Sequence, residues 1–110
     1  MDEKFLFKTK EIVIRNISDS DFSVEQLADE IHLSRSQLFR KLKAITGLSP
    51  IEFINDIRLL KAAELIYAKS DTLSQISYLV GFNELSYFSQ CIRKIWHTTK
   101  RIFEPTAKGK

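Results

Sequence analysis

One cysteine, two prolines, three glycines and a single tryptophan in 110 residues leave this chain without the raw material of several fold classes. The lone Cys91 excludes an internal disulfide and any cysteine-rich metal cluster, and it reads as a small core residue. So little glycine and proline gives too little turn punctuation for many short strands and favours helices joined by short loops. No apolar run approaches the roughly 20 residues that cross a bilayer. The start, Met1-Asp2-Glu3, is unlike the basic opening of a signal peptide, so a cytoplasmic location without membrane contact is expected. There is no phosphate-binding glycine loop, no HExxH and no spaced Cys/His set. An enzyme is therefore not expected, nor a metal, a cofactor or a small-molecule ligand. A hydrophobic content of 44% is that of an ordinary globular domain rather than a disordered segment.

The net charge is only +3, but it is unevenly spread. From Asp19 to Glu30 every charged residue is acidic: Asp19, Asp21, Glu25, Asp29 and Glu30. From Ile31 to Ile51 every one is basic: Arg35, Arg40, Lys41 and Lys43. A basic block of this kind is the electrostatic footprint of a polyanion partner, or else a solvated helix face.

The pattern also repeats. Ser23 to Phe53 and Leu73 to Phe103 carry similar apolar positions about fifty residues apart, which is a statement about architecture before any single residue is weighed. Gln26, Leu27, Ile31 and Leu33 return as Gln75, Ile76, Val80 and Phe82. Leu38, Leu42 and Phe53 return as Phe88, Ile92 and Phe103, with a slip of one residue at the start of each copy's second helix.

Capping boxes mark the helix starts, because a Ser or Thr followed three residues later by Glu or Gln satisfies backbone N–H groups that the first turn leaves open. Ser23 with Gln26, Ser34 with Gln37, Ser49 with Glu52 and Thr72 with Gln75 predict helices reaching about Ile31, Thr46, Lys69 and Val80. Pro50 sits at the favoured first position of the third of these. Asn83 is the expected N-cap of a helix to about Trp96, Phe5, Ile12, Ile14 and Ile17 mark an opening helix from about Glu3 to Ile17, and Thr98 or Thr99 begins a short last one around Ile102 and Phe103. The expectation is an all-α chain of about seven helices. It divides into a first helix-turn-helix subdomain over about 3–48, a linker helix over 49–69 and a second subdomain over 72–104, each subdomain a homeodomain-like three-helix unit. The connections Ile31-His32-Leu33-Ser34 and Val80-Gly81-Phe82-Asn83 have the length that sets two helices near a right angle. Gly81 permits a left-handed turn, and His32 stands where that glycine would be.

A helix-turn-helix lays its second helix in the major groove of DNA. In the first copy that helix carries Arg35, Ser36, Gln37, Phe39, Arg40, Lys41 and Lys43. Arg40 suits bidentate pairing with guanine and Ser36 suits several bases. Phe39 either packs on a thymine methyl or seals the helix edge, while Lys41 and Lys43 suit phosphate. The second copy offers Ser86, Ser89, Gln90, Arg93, Lys94 and Lys100, with Gln90 suited to adenine. Taken singly, each of these is as readily an ordinary polar surface residue. The linker of about nineteen residues spans roughly 28 Å, against about 34 Å between successive major grooves on one face of B-DNA.

These residues resemble the AraC-type DNA-binding domain of bacterial transcription activators, two helix-turn-helix subdomains on one long helix. The resemblance runs from about Phe5 to Phe103. It rests on Leu27-Ala28, Leu33-Ser34, Leu38 to Lys43, Gly47-Leu48-Ser49-Pro50, Phe53, Arg58, Ala62-Ala63 and Leu65, then on Ile76, Val80-Gly81-Phe82, Tyr87-Phe88-Ser89 and Arg93-Lys94. The opening Asp2 to Leu6 and Ser20 to Ser23 are similar to the output domain of hybrid two-component regulators. This resemblance implies double-stranded DNA as partner, RNA polymerase as a further one, and membership of a larger, dimeric regulator, membrane-anchored if that parent is a hybrid sensor kinase. A non-catalytic protein-interaction module that kept the fold is the alternative. The chain departs from the family where a Gly-x-x-Pro usually closes the second recognition helix: it has His97-Thr98-Thr99-Lys100. Ser77 replaces a usual Ala, and Glu104 stands where an Arg often lies.

Overall fold

The computed structural model describes the backbone of residues 2–103 and the side chains of residues 2–94. Six helices make up that span: α1 Asp2–Arg15, α2 Val24–Glu30, α3 Arg35–Thr46, α4 Pro50–Tyr67, α5 Leu73–Leu79 and α6 Leu85–Phe103. Local chemistry sets most of their starts. All four capping boxes form, each with the Ser or Thr side chain accepting from the backbone N–H three residues on and the Gln or Glu reaching back. Such a cap contributes about 0.5–2 kcal/mol each.

Among the described residues, four left-handed ones end helices or turn the chain between them: His32 (φ 64°), Gly47 (φ 80°), Lys69 (φ 55°) and Gly81 (φ 88°). The two helix-turn-helix turns are built alike. Leu33 N–H donates to Ala28 at 2.9 Å and His32 N–H to Asp29 at 3.2 Å; in the second unit Phe82 N–H donates to Ser77 at 2.9 Å and Gly81 N–H to Tyr78 at 3.1 Å. His32 thus takes the left-handed conformation that the repeat assigns to a glycine.

Two cores result. Ile12, Val13, Phe22, Leu27, Ala28, Leu38, Leu42, Phe53, Ile54 and Ile57 fill the first, between α1, α2, α3 and the first half of α4. Leu59, Ala62, Ile76, Val80, Phe82 and Phe88 fill the second, with Cys91 and Ile92 packed against it. α4 serves both, so its apolar residues run round the helix instead of forming one stripe. Cys91 is half-buried at the second core, in line with its reading as a small core residue.

Two sequence expectations fail at α6. The helix begins at Leu85, and the first turn is closed by Phe88 N–H donating to the Glu84 carbonyl at 3.1 Å, so Glu84 and not Asn83 is the flanking residue. Since the Ser34 carbonyl receives Leu38 in the same way, Glu84 answers to Ser34, and Asn83 is the extra residue behind the slip between the copies. The expected break before a short last helix is also missing, because α6 continues for 19 residues to Phe103. The physical reason lies in His97-Thr98-Thr99-Lys100: without a glycine to adopt a left-handed end or a proline to refuse an interior position, nothing stops the helix there. By contrast, α3 stops at Gly47, and Pro50 starts α4.

Candidate nucleic-acid interface

α3 turns Leu38 and Leu42 fully inward, which leaves Ser36, Arg40 and Lys43 on its outer stripe, all exposed. Arg35, Gln37 and Phe39 are exposed at the margins of that stripe. The Arg35 guanidinium pairs with Glu25 of α2 at 3.2 Å, a solvent-exposed contact of small energetic weight. The Gln37 side-chain oxygen accepts from Ser34 N–H at 2.9 Å, so the cap occupies its acceptor and leaves its NH₂ group as the part able to meet a base. Lys41 does not share the outer stripe. It is half-buried, with its ammonium 4.9 Å from the centre of the Phe5 ring of α1. That cation–π contact draws its charge to the side of the unit.

With Glu84 answering to Ser34, the register of the two second helices is fixed. Ser36, Arg40 and Lys43 correspond to Ser86, Gln90 and Arg93, which are likewise exposed, while Lys41 corresponds to the half-buried Cys91. Each unit thus presents a small hydroxyl, a long side chain with several hydrogen-bonding groups one turn on, and a cation one turn further. Ser89 is half-buried, Lys94 is exposed beside the stripe, and Lys100 lies outside the described side chains, as does Glu104.

Two clefts that meet at Ile51 were not singled out in the sequence. A cleft of about 580 Å³ lies beside α3, lined by Phe39, Arg35, Ser36, Arg40 and the start of α4 at Ser49, Pro50 and Ile51. A second, of about 350 Å³, lies between α4 and the start of α6, lined by Ile51, Asn55, Arg58, Gly81, Glu84 and Tyr87 among others. Ile51 belongs to both and is 57% exposed. Only its position just after Pro50 could have marked it. Tyr87 packs against Phe82 with ring centroids 6.0 Å apart, and its hydrogen bond with Cys91 pushes the phenol pKa up.

The acceptors and cations on these stripes suit base edges and phosphates. Among the described residues no group of His, Cys, Asp and Glu is placed to hold a metal ion, and no helix is long and apolar enough to cross a membrane.

Comparison with known proteins agrees with this geometry. A family model described as a helix-turn-helix domain matches residues 27–101. The chain is similar to "Histidine kinase P4" of Formosa agariphila, with 42% identity over 104 residues, 94% of this chain and 8% of that protein. It is also similar to the HTH-type transcriptional regulator MtrA of Neisseria gonorrhoeae, 30% identical over 81 residues, 74% of this chain and 27% of that one. The chain therefore spans only a small part of the curated relatives it matches. Among solved structures it superimposes on a transcriptional regulator from Chromobacterium violaceum with an AraC-type DNA-binding domain, at a TM-score of 0.78 and 26% identity, covering 86% of this chain and 84% of that one. The chain belongs to the AraC-type helix-turn-helix family, non-catalytic domains that bind DNA in a sequence-specific manner to regulate transcription.

Proposed function

We propose that this chain reads duplex DNA through two matched stripes, Ser36, Arg40 and Lys43 in α3 and Ser86, Gln90 and Arg93 in α6, laid in adjacent major grooves. The observation that carries the reading is the shared register of the two units: the same turn, the same outward positions and the same order of side chains. α4, at 18 residues, is about 27 Å long, which suits the groove repeat of about 34 Å once the helices it carries are added. Arg35, Gln37, Phe39, Ser89 and Lys94 flank the stripes, Lys41 contributes charge from the side, and Lys100 is a further basic residue beyond them in sequence. The clefts on either side of Ile51 leave room for the sugar-phosphate ridge between the grooves.

The relative named a histidine kinase supports a wider reading: the chain is the output domain of a larger, cytoplasmic-facing two-component regulator that acts as a dimer. The exposed acidic Asp29 and Glu30 of α2 are where such a regulator would meet RNA polymerase.

Selection of bound duplexes from a random pool tests the first reading. A motif with two parts should emerge. Binding should weaken with salt at a log–log slope of about −5 to −7, as about five to eight phosphate contacts require. A slope near zero would instead favour a protein-interaction module.

A further inference from the structure

Arg58 lies in the middle of the linker helix and is 4% exposed. Its guanidinium donates three hydrogen bonds, none to a carboxylate. Nη1 donates to the Ile17 carbonyl at 3.0 Å and to the Val80 carbonyl at 2.9 Å, and Nη2 donates to the Asp19 carbonyl at 3.1 Å. Ile17 and Asp19 belong to the turn that ends α1 in the first unit, whereas Val80 is the C-cap of α5 in the second. Both are helix C-terminal ends, where unpaired carbonyls and the helix dipole favour a cation. Burial lowers the Arg58 pKa and the nearby Asp19 charge raises it, and the group stays charged because an arginine pKa lies so far above neutrality.

The same seat explains why the two turns differ. His32 and Gly81 share a left-handed backbone, so conformation alone does not demand glycine in the second. A Cβ on residue 81 would collide with the Arg58 guanidinium and with the Ile17 carbonyl oxygen. Glycine is required there by the close approach of one unit to the other through Arg58.

We infer that Arg58 is the positioning residue that fixes the angle between the two helix-turn-helix units, and through it the half-site spacing that the chain accepts. The planar fork fixes the directions of all three N–H groups, two on Nη1 that bridge the units and one on Nη2, whereas a lysine ammonium gathers its donors on one freely rotating nitrogen and does not fix them in that arrangement. The inference rests on the proposed two-groove reading for its consequence on DNA, while the angle itself is a property of the free chain.

Two measurements on the whole chain separate these. The first uses a selected site whose two halves are moved apart or together one base pair at a time, each step rotating the second half by roughly 35° about the duplex axis. The native chain should lose at least about tenfold in affinity at one or two base pairs from its optimum. Arg58→Met, with Arg58→Lys as the milder variant should the first fail to fold, should lose about tenfold at the optimum and vary less than about threefold across spacings. Affinity for a single half-site should stay within about twofold of the native value. A spacing profile as sharp as the native one, or an equal loss on single and double sites, overturns the inference.

The second measurement needs no DNA: spin labels on exposed Ala44 of α3 and Ser74 of α5, in a Cys91→Ser background, report the distance between units. A narrow native distribution should broaden in both Arg58 variants. An unchanged narrow distribution overturns the positioning role, whereas broadening in a chain that shows no spacing preference overturns the two-groove reading and leaves the positioning role standing.

Discussion

Arg40 and Lys43 sit on one exposed stripe of α3, a single turn apart, yet the chemistry of their side chains gives them different work. A guanidinium can hold two acceptors of one guanine, so Arg40→Ala should cost about 1–3 kcal/mol at one base pair and relax preference there. An ammonium beside phosphate carries no base information, so Lys43→Ala should weaken every duplex alike. Binding to a panel of single-base variants checks both, and an equal loss on all sequences for Arg40→Ala would remove it from the reading stripe. The turn residues divide in the same physical way. His32 tolerates its left-handed conformation at a cost of about 1–2 kcal/mol, part of which glycine would return as chain entropy, so His32→Gly should stabilise the fold by roughly 0.5–1 kcal/mol. Gly81→Ala should destabilise it by at least about 2 kcal/mol, since it adds that strain to the displacement of a buried guanidinium. Denaturant unfolding of the two variants should therefore move in opposite directions.

Helices were legible where their signals are local. The four capping boxes are pairs of residues three apart, and both partners of each are visible in the sequence and bonded in the fold. Asn83 misled because it is a good cap by composition, whereas the cap position is fixed by packing of Phe88 into the second core, which sets α6 one residue further on. Arg58 was visible only as part of a resemblance, because its partners lie 41, 39 and 22 residues away in sequence and no local pattern announces them. The unbroken α6 was open to view in the missing Gly-x-x-Pro, but a departure from a pattern shows that a stop is absent, not what the chain does instead. Restoring the stop with His97→Gly and Lys100→Pro should split the helix, because proline in a helix interior costs about 3 kcal/mol or more. Backbone ¹³Cα shifts should be helical from Leu85 through Phe103 in the native chain and lose that character around positions 97 to 100 in the variant. Helical shifts retained across those positions would show that tertiary packing, not the local sequence, drives the continuous helix.

The molecule as a whole is a repeat whose halves have diverged, and the differences point one way. α3 is flanked by a neutral Ser34 and carries four basic residues with no acidic one, while α6 has Glu84 in the matching flank. A carboxylate there favours the helix, since it faces the positive end of the dipole, and repels the phosphate that would otherwise take its place. α3 is also held at its far end by Gly47 and by Leu48, which packs on the first core, before the chain turns into α4. α6 runs past the equivalent point and lacks that corner, so its seating depends on Phe88 and the Phe82 ring beside it, with centroids 5.1 Å apart. Base recognition requires side chains placed to within a fraction of an ångström, whereas attraction to phosphate tolerates more. The first unit should therefore supply most of the specificity, with the second acting chiefly as an electrostatic clamp through Arg93, Lys94 and Lys100. Base-by-base substitution across a selected site should cost about 1–3 kcal/mol per mismatch in the first half and clearly less in the second. In the Glu84→Ser variant, which restores the neutral flank of the first unit, second-half penalties should rise toward first-half values. Equal penalties in both halves of the native site would mean that the continuous helix seats its reading stripe as well as the capped one does, and that Glu84 is no obstacle to phosphate.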